Sequence, residues 1–136
     1  MHGDIALITL ANGLRNASQM TSFELYAGET KVADASIKAI TECFLGCDKL
    51  EQLTLNFGQT LVKTNDGLLA LAKTLTTLKK LTKFSLEVYC TEIGDEGITA
   101  VAKSLKQTKR LKYLAFGLGE TKIVKDSTLI EMGKAV

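Results

Sequence analysis

Cys43 and Cys47 are the residues of this chain best spaced for chemistry. On a helix, side chains four apart share one face, and two thiolates placed that way could form half of a tetrahedral zinc site. A closed site needs four ligands. No third thiol stands close in sequence, and His2 is the only histidine. The pair therefore reads as small helix residues at the core boundary, and Cys90 as a turn residue that packs inward. Catalytic sets are equally lacking, because one histidine near the start makes no Ser–His–Asp or Cys–His arrangement. There is no Gly-rich phosphate-cradling loop, and Arg15 and Arg110, the only arginines, stand in no recognisable motif. The expectation is a chain that is not an enzyme and holds no metal or cofactor.

The other chemically capable residues are Tyr26, Tyr89 and Tyr113, and these follow a period. Taking Met20, Leu50, Leu81 and Leu111 as anchors, Phe23, Leu53, Phe84 and Leu114 come three residues later. Leu25, Leu55, Leu86 and Phe116 follow by two more, and then Ala27, Phe57, Val88 and Leu118. Thr30, Thr60, Thr91 and Thr121 keep the same register, as do Val32, Val62, Ile93 and Ile123. A period of this length marks an array of units that each contact only their neighbours.

Each unit changes period part-way. Around Phe23-Glu24-Leu25-Tyr26-Ala27 the apolar residues alternate, which predicts a half-buried strand. The equivalents are Leu53–Phe57, Phe84–Val88 and Leu114–Leu118. Beyond a turn the spacing becomes helical, as in Leu68, Leu71, Ala72 and Leu75, or Ile98, Val101, Ala102 and Leu105. Ile37, Ile40, Thr41 and Phe44 form a third such stripe, Leu7, Leu10, Ala11 and Leu14 a fourth, and Leu129, Met132, Gly133 and Val136 a fifth. Asp4, Asp34, Asn65, Asp95 and Asp126 each stand three residues before a stripe and are read as N-caps. The prediction is five helices separated by four strands. The phase slips by one residue in the second and fourth units, both times in the turn before the helix, where the faces of a strand are not reversed.

The stretch Leu81-x-x-Phe84-x-Leu86-x-Val88-x-x-Thr91-x-Ile93 resembles the leucine-rich repeat, specifically its ribonuclease-inhibitor-like class with a full helix in each unit. The resemblance recurs four times and spans nearly the whole chain. It implies an α/β solenoid: a right-handed superhelix with a parallel sheet on the concave face and helices on the convex face. The family usually has Asn where Thr91 stands, so a threonine ladder bonded to the turn backbone is expected here. The fold also implies protein binding, or regulation of an enzyme as in ribonuclease inhibitors and GTPase activators.

By alternation, the strand positions facing away from the helices are Ser22, Glu24, Tyr26 and Gly28, then Gln52, Thr54, Asn56 and Gly58. Lys83, Ser85, Glu87 and Tyr89 follow, then Tyr113, Ala115, Gly117 and Gly119. All three tyrosines fall on this face, and Tyr combines apolar area with a polar tip and few rotatable bonds. Glu24, Tyr26, Asn56, Lys83, Glu87, Tyr89 and Tyr113 are therefore the candidate contacts with another protein. Tyr is also simply a favoured strand residue, which is the plainer account of the same positions.

Charge and composition narrow the partner. Net charge is +2 in 136 residues, and 46% of the chain is hydrophobic, enough for a core. Lys103, Lys106, Lys109, Arg110 and Lys112 crowd one stretch, with Lys79, Lys80 and Lys83 before it. Without interleaved aromatics this reads as a solvated outer face rather than a nucleic-acid surface. No apolar run reaches the roughly 18 residues of a membrane span. Met1-His2-Gly3-Asp4 lacks the features of an export signal, and three cysteines do not pair evenly, so a reducing, cytoplasmic setting is expected. Were the chain exported, Asn16-Ala17-Ser18 would be a glycosylation acceptor. Residues 1–136 are expected to form one array of about four units, a piece of a longer one. Its open terminal strands give a second expectation, self-association end to end, because Gly28-Glu29-Thr30-Lys31-Val32 returns as Gly119-Glu120-Thr121-Lys122-Ile123.

Overall fold

The computed structural model describes residues 2–15 and 17–122. Helices and strands alternate: α1 (His2–Leu14), β1 (Ser22–Tyr26), α2 (Asp34–Glu42), β2 (Gln52–Asn56), α3 (Asp66–Leu75), β3 (Lys83–Glu87), α4 (Asp95–Leu105) and β4 (Tyr113–Gly117). The strands form one parallel sheet in chain order, β1-β2-β3-β4. In the helical layer α1 packs on α2, α2 on α3 and α3 on α4. The predicted fifth helix, with Asp126 before it, lies outside the described residues, as does Asn16.

Alternation is why the two layers hold together. Leu53, Leu55, Phe84 and Leu86 are fully buried, and Leu68, Leu71, Leu75, Ile98, Val101 and Leu105 meet them from the helices. Burying each such side chain contributes about 1.5–3 kcal/mol. The outer strands are less covered: Phe23, Leu25, Leu114 and Phe116 stay half-buried. Phe23 packs against Phe44 at 5.0 Å between ring centres, and Phe84 meets Phe116 edge-on at 6.4 Å. Leu10 departs from its expected inward position and is exposed, whereas Leu7 and Ala11 are buried.

Backbone bonding between units continues well past the strands. Glu51 N–H donates to Thr21 O at 2.8 Å, Phe57 N–H to Glu87 O at 2.7 Å, Gln59 N–H to Tyr89 O at 2.8 Å and Leu61 N–H to Val32 O at 2.8 Å. The turn that keeps this ladder going puts one non-glycine residue per unit in the left-handed region: Glu29 (φ 59°), Gln59 (50°), Cys90 (54°) and Glu120 (54°). That conformation costs about 1–2 kcal/mol per residue. It recurs because Glu29, Gln59 and Cys90 N–H then point at the carbonyls of Gly58, Tyr89 and Gly119. The threonine column closes the same turns. Thr30, Thr60, Thr91 and Thr121 donate their hydroxyls to Ala27, Phe57, Val88 and Leu118 O at 2.6–2.8 Å. Each threonine works within its own unit, so the column bonds the turn backbone as expected without forming a ladder between units.

The helix starts correct the capping expectation. Asp34 and Asp95 are the first helical residues, after extended Ala33 and Gly94, and no cap residue of α2, α3 or α4 bonds its own helix through its side chain. The polar groups reach forward to the next unit instead. Asp4 accepts from Ala33 N–H at 2.9 Å and from the Ser36 hydroxyl. Asn65 Oδ1 accepts from Gly94 N–H at 3.0 Å and Gly97 N–H at 3.1 Å. Asp34 accepts from Lys63 N–H, Thr64 N–H and the Thr64 hydroxyl at 2.8–3.1 Å. Lys63-Thr64 is where the second unit carries its surplus residue. Asp34 gathers it, and β2 and β3 remain in continuous register.

Asn65→Ala leaves two buried N–H groups without an acceptor and is expected to lower stability by about 1–2 kcal/mol in a denaturant melt. Asn65→Asp keeps the acceptor and is expected to recover most of that loss. Equal melts for wild type and Asn65→Ala would show that the forward bond contributes nothing.

Candidate functional site

Strand register turns the outward positions into rows. Ser22, Gln52, Lys83 and Tyr113 form one, Glu24, Thr54, Ser85 and Ala115 a second, and Tyr26, Asn56, Glu87 and Gly117 a third. All seven candidate residues lie on this side of the sheet or just beyond it, at different exposures. Tyr26 is 66% exposed and Tyr113 52%. Glu24 is exposed, and Asn56, Lys83, Glu87 and Tyr89 are half-buried.

The structure joins four of the seven in pairs. Asn56 Nδ2 donates to Glu87 Oε2 at 2.7 Å, and Asn56 Oδ1 accepts from Gly58 N–H at 2.9 Å. The amide is thereby held in one orientation, and it fixes the Glu87 carboxylate. Lys83 Nζ lies 5.1 Å from the centre of the Tyr113 ring, within cation–π reach. Glu24 and Tyr26 stand apart from these pairs on β1.

Tyr89 differs from the exposed residue that alternation predicts. It follows β3, and its ring covers Gly58: a Cβ there would lie 2.1 Å from Tyr89 Cε1. The Asn56 amide covers Gly28 in the same way at 2.9 Å, and Glu87 Cγ covers Gly117 at 2.9 Å. Glycine thus makes room for a neighbouring side chain to lie flat across the sheet. The column Gly28, Gly58, Tyr89, Gly119 carries the signal for this in the sequence, a large residue beside vacant positions.

The cysteines hold no site. Cys43 caps the C-terminal end of α2 and Cys47 lies beyond it, so they do not share a helix as expected. Both are buried; Cys43 donates to Ile40 O at 3.0 Å. Burial, with the nearby Cys47, pushes the Cys43 thiol from 9.0 up to about 12. Cys90 points along the turn surface rather than inward, its thiol donating to Glu120 Oε2 at 3.3 Å, and that hydrogen bond raises its pKa. Among the described residues no group of three or more His, Cys, Asp or Glu is placed to hold a metal ion, and no helix is long and apolar enough to cross a membrane.

The structure of actin-binding site 2 of leiomodin-1 superposes with a TM-score of 0.61 at 15% identity, covering 92% of this chain and 86% of that one. The fold is leucine-rich-repeat-like. The C-terminal domain of tropomodulin from Caenorhabditis elegans gives a TM-score of 0.48 at 10% identity, covering 95% and 90%. No family model and no curated protein matches the chain.

Thiol chemistry checks this placement. Iodoacetamide at neutral pH is expected to label Cys90 in the folded chain and to spare Cys43 and Cys47. Glu120→Ala removes the bond that raises Cys90, so labelling there should quicken. Because folding raises Cys43, its stabilising effect is complete below pH 9.0 and is lost as pH climbs through about 12. Labelling of Cys43 ahead of Cys90 would contradict the burial described.

Proposed function

We propose that this chain is a non-catalytic protein-interaction module that binds a partner across the outward face of its parallel sheet. The carrying observation is the combination on that face of two exposed tyrosines with an oriented carboxylate, Glu87, and a cation placed over an aromatic ring, Lys83 on Tyr113. Aromatic anchors beside fixed polar groups are what concentrate binding energy in protein interfaces. Tyr26 and Tyr113 are the anchors, Glu24, Lys83 and Glu87 the polar contacts, and Asn56 and Tyr89 hold the surface in shape.

The finer architecture is part of the proposal. A full helix in every described unit supports the ribonuclease-inhibitor-like class, and a helical layer behind a parallel sheet supports a curved solenoid with this face concave. The unpaired cysteines support a cytoplasmic setting. Leiomodin-1 carries an actin-binding site on the same fold, so actin is the first partner to try. A second reading, end-to-end self-association, draws support from β1 and β4, each paired on one side only among the described residues, and from exposed Ile5 and Leu10 on α1.

A photocrosslinker placed in turn at Tyr26, Gln52, Ile5 and Ala70 tests both. Adducts to a different protein from Tyr26 and Gln52 are expected, and Tyr26→Ala with Tyr113→Ala should then weaken that partner by about tenfold or more. Adducts only from Ala70, on the helical side, would overturn the sheet-face reading. An adduct to a second copy from Ile5 would favour self-association.

A further inference from the structure

Six exposed cations lie beyond the helix C-caps on the loops from α2 to β2, α3 to β3 and α4 to β4: Lys49, Lys79, Lys80, Lys109, Arg110 and Lys112, alongside the exposed acids Asp48 and Glu51. These loops occupy one edge of the molecule, not the outer helical face that the charge pattern alone suggests. They are held in register by Glu51 N–H to Thr21 O, Thr82 N–H to Glu51 O and Lys112 N–H to Thr82 O, each 2.8 Å. Lys49, Lys80 and Arg110 consequently form one column and Asp48, Lys79 and Lys109 another, each step about 4.8 Å at the strands. Lys49 lies along its column, donating to Gln19 Oε1 at 2.6 Å. Among the described residues, Lys79, Lys80, Lys109, Arg110 and Lys112 have no acidic partner.

Helix dipoles do not account for them. That effect fades within the last helical turn, whereas α3 ends at Leu75 and α4 at Leu105, well before these residues. Asp48 and Glu51 offset part of the charge at the Lys49 end, and the excess lies among Lys79, Lys80, Lys109, Arg110 and Lys112, where like charges repel.

We propose that this ridge binds an acidic α-helical segment of another protein. Carboxylates three or four apart on one helix face stand about 5–6 Å from one another, close to the step between repeats. A nucleic-acid strand would be expected to meet aromatic side chains among the cations for base stacking, and no aromatic is exposed on these loops. The surface is separate from the outward sheet face and does not depend on that face being a binding site.

The probe is a labelled alanine-based helical peptide with Glu every fourth residue, read by fluorescence anisotropy at low salt. A peptide of the same composition with Glu spread around the helix is the control. The combined variant Lys79→Gln, Lys80→Gln, Lys109→Gln, Arg110→Gln is expected to lose about tenfold in affinity for the one-faced peptide. Lys38→Gln, Lys63→Gln, Lys73→Gln, Lys103→Gln removes the same charge elsewhere and should lose less than about twofold, with thermal melts confirming that both variants fold. Equal losses in the two variants, or equal binding of the two peptides, would reduce the effect to net charge and overturn the proposal. Tighter, ridge-dependent binding of a single-stranded oligonucleotide or of phosphatidylserine vesicles would overturn it as well.

Discussion

Everything in this molecule hangs on lateral hydrogen bonding that must repeat at the same place in every unit. The parallel ladder starts before each strand, at Glu51 and Thr82, and continues through the following turn to Leu61 and Glu92. It requires each unit to follow nearly the same path, so insertions are excluded along most of that path. Left-handed backbone at Glu29, Gln59, Cys90 and Glu120 is what the path costs. Four threonine hydroxyls and the cross-unit N–H bonds offset it. Side chains carry the coupling further where Asp4, Asp34 and Asn65 satisfy the helix entry of the next unit.

That coupling explains the character of the outward face. Rows fixed by register place residues of different units side by side, so Asn56 can orient Glu87 and Lys83 can lie over Tyr113. Glycines let those side chains lie across the sheet instead of standing away from it, as Tyr89 does over Gly58. A surface ordered in this way loses little side-chain freedom when a partner arrives, which favours binding. The same register lines up the cations of the helix-to-strand loops, giving the molecule a second and more polar surface.

Period and alternation made most of the fold readable. The four strands, the four described helices, the fully buried Leu53, Leu55, Phe84 and Leu86, and the turn that absorbs an extra residue at Lys63-Thr64 all follow from them. Relations between units were not readable in the same way. Asp34 and Asn65 have the right composition for N-caps, and only the stacking geometry shows that their oxygens serve the next unit, Asp34 the turn at Lys63-Thr64 and Asn65 the start of α4. Cys43 and Cys47 have helical spacing, yet α2 ends between Glu42 and the turn that follows. For the site, alternation found the face but not which residues hold one another, because that depends on reach across strands and not on position along them.

Native-state amide hydrogen exchange by NMR tests the coupling most directly. The account predicts that the Gly94 and Gly97 amides, bonded to Asn65, and the turn amides of Gln59, Leu61 and Cys90 are protected together with the amides of β2 and β3. Exchange of those amides at unprotected-loop rates, with only the strand amides slow, would contradict it. The units would then be joined through their strands alone.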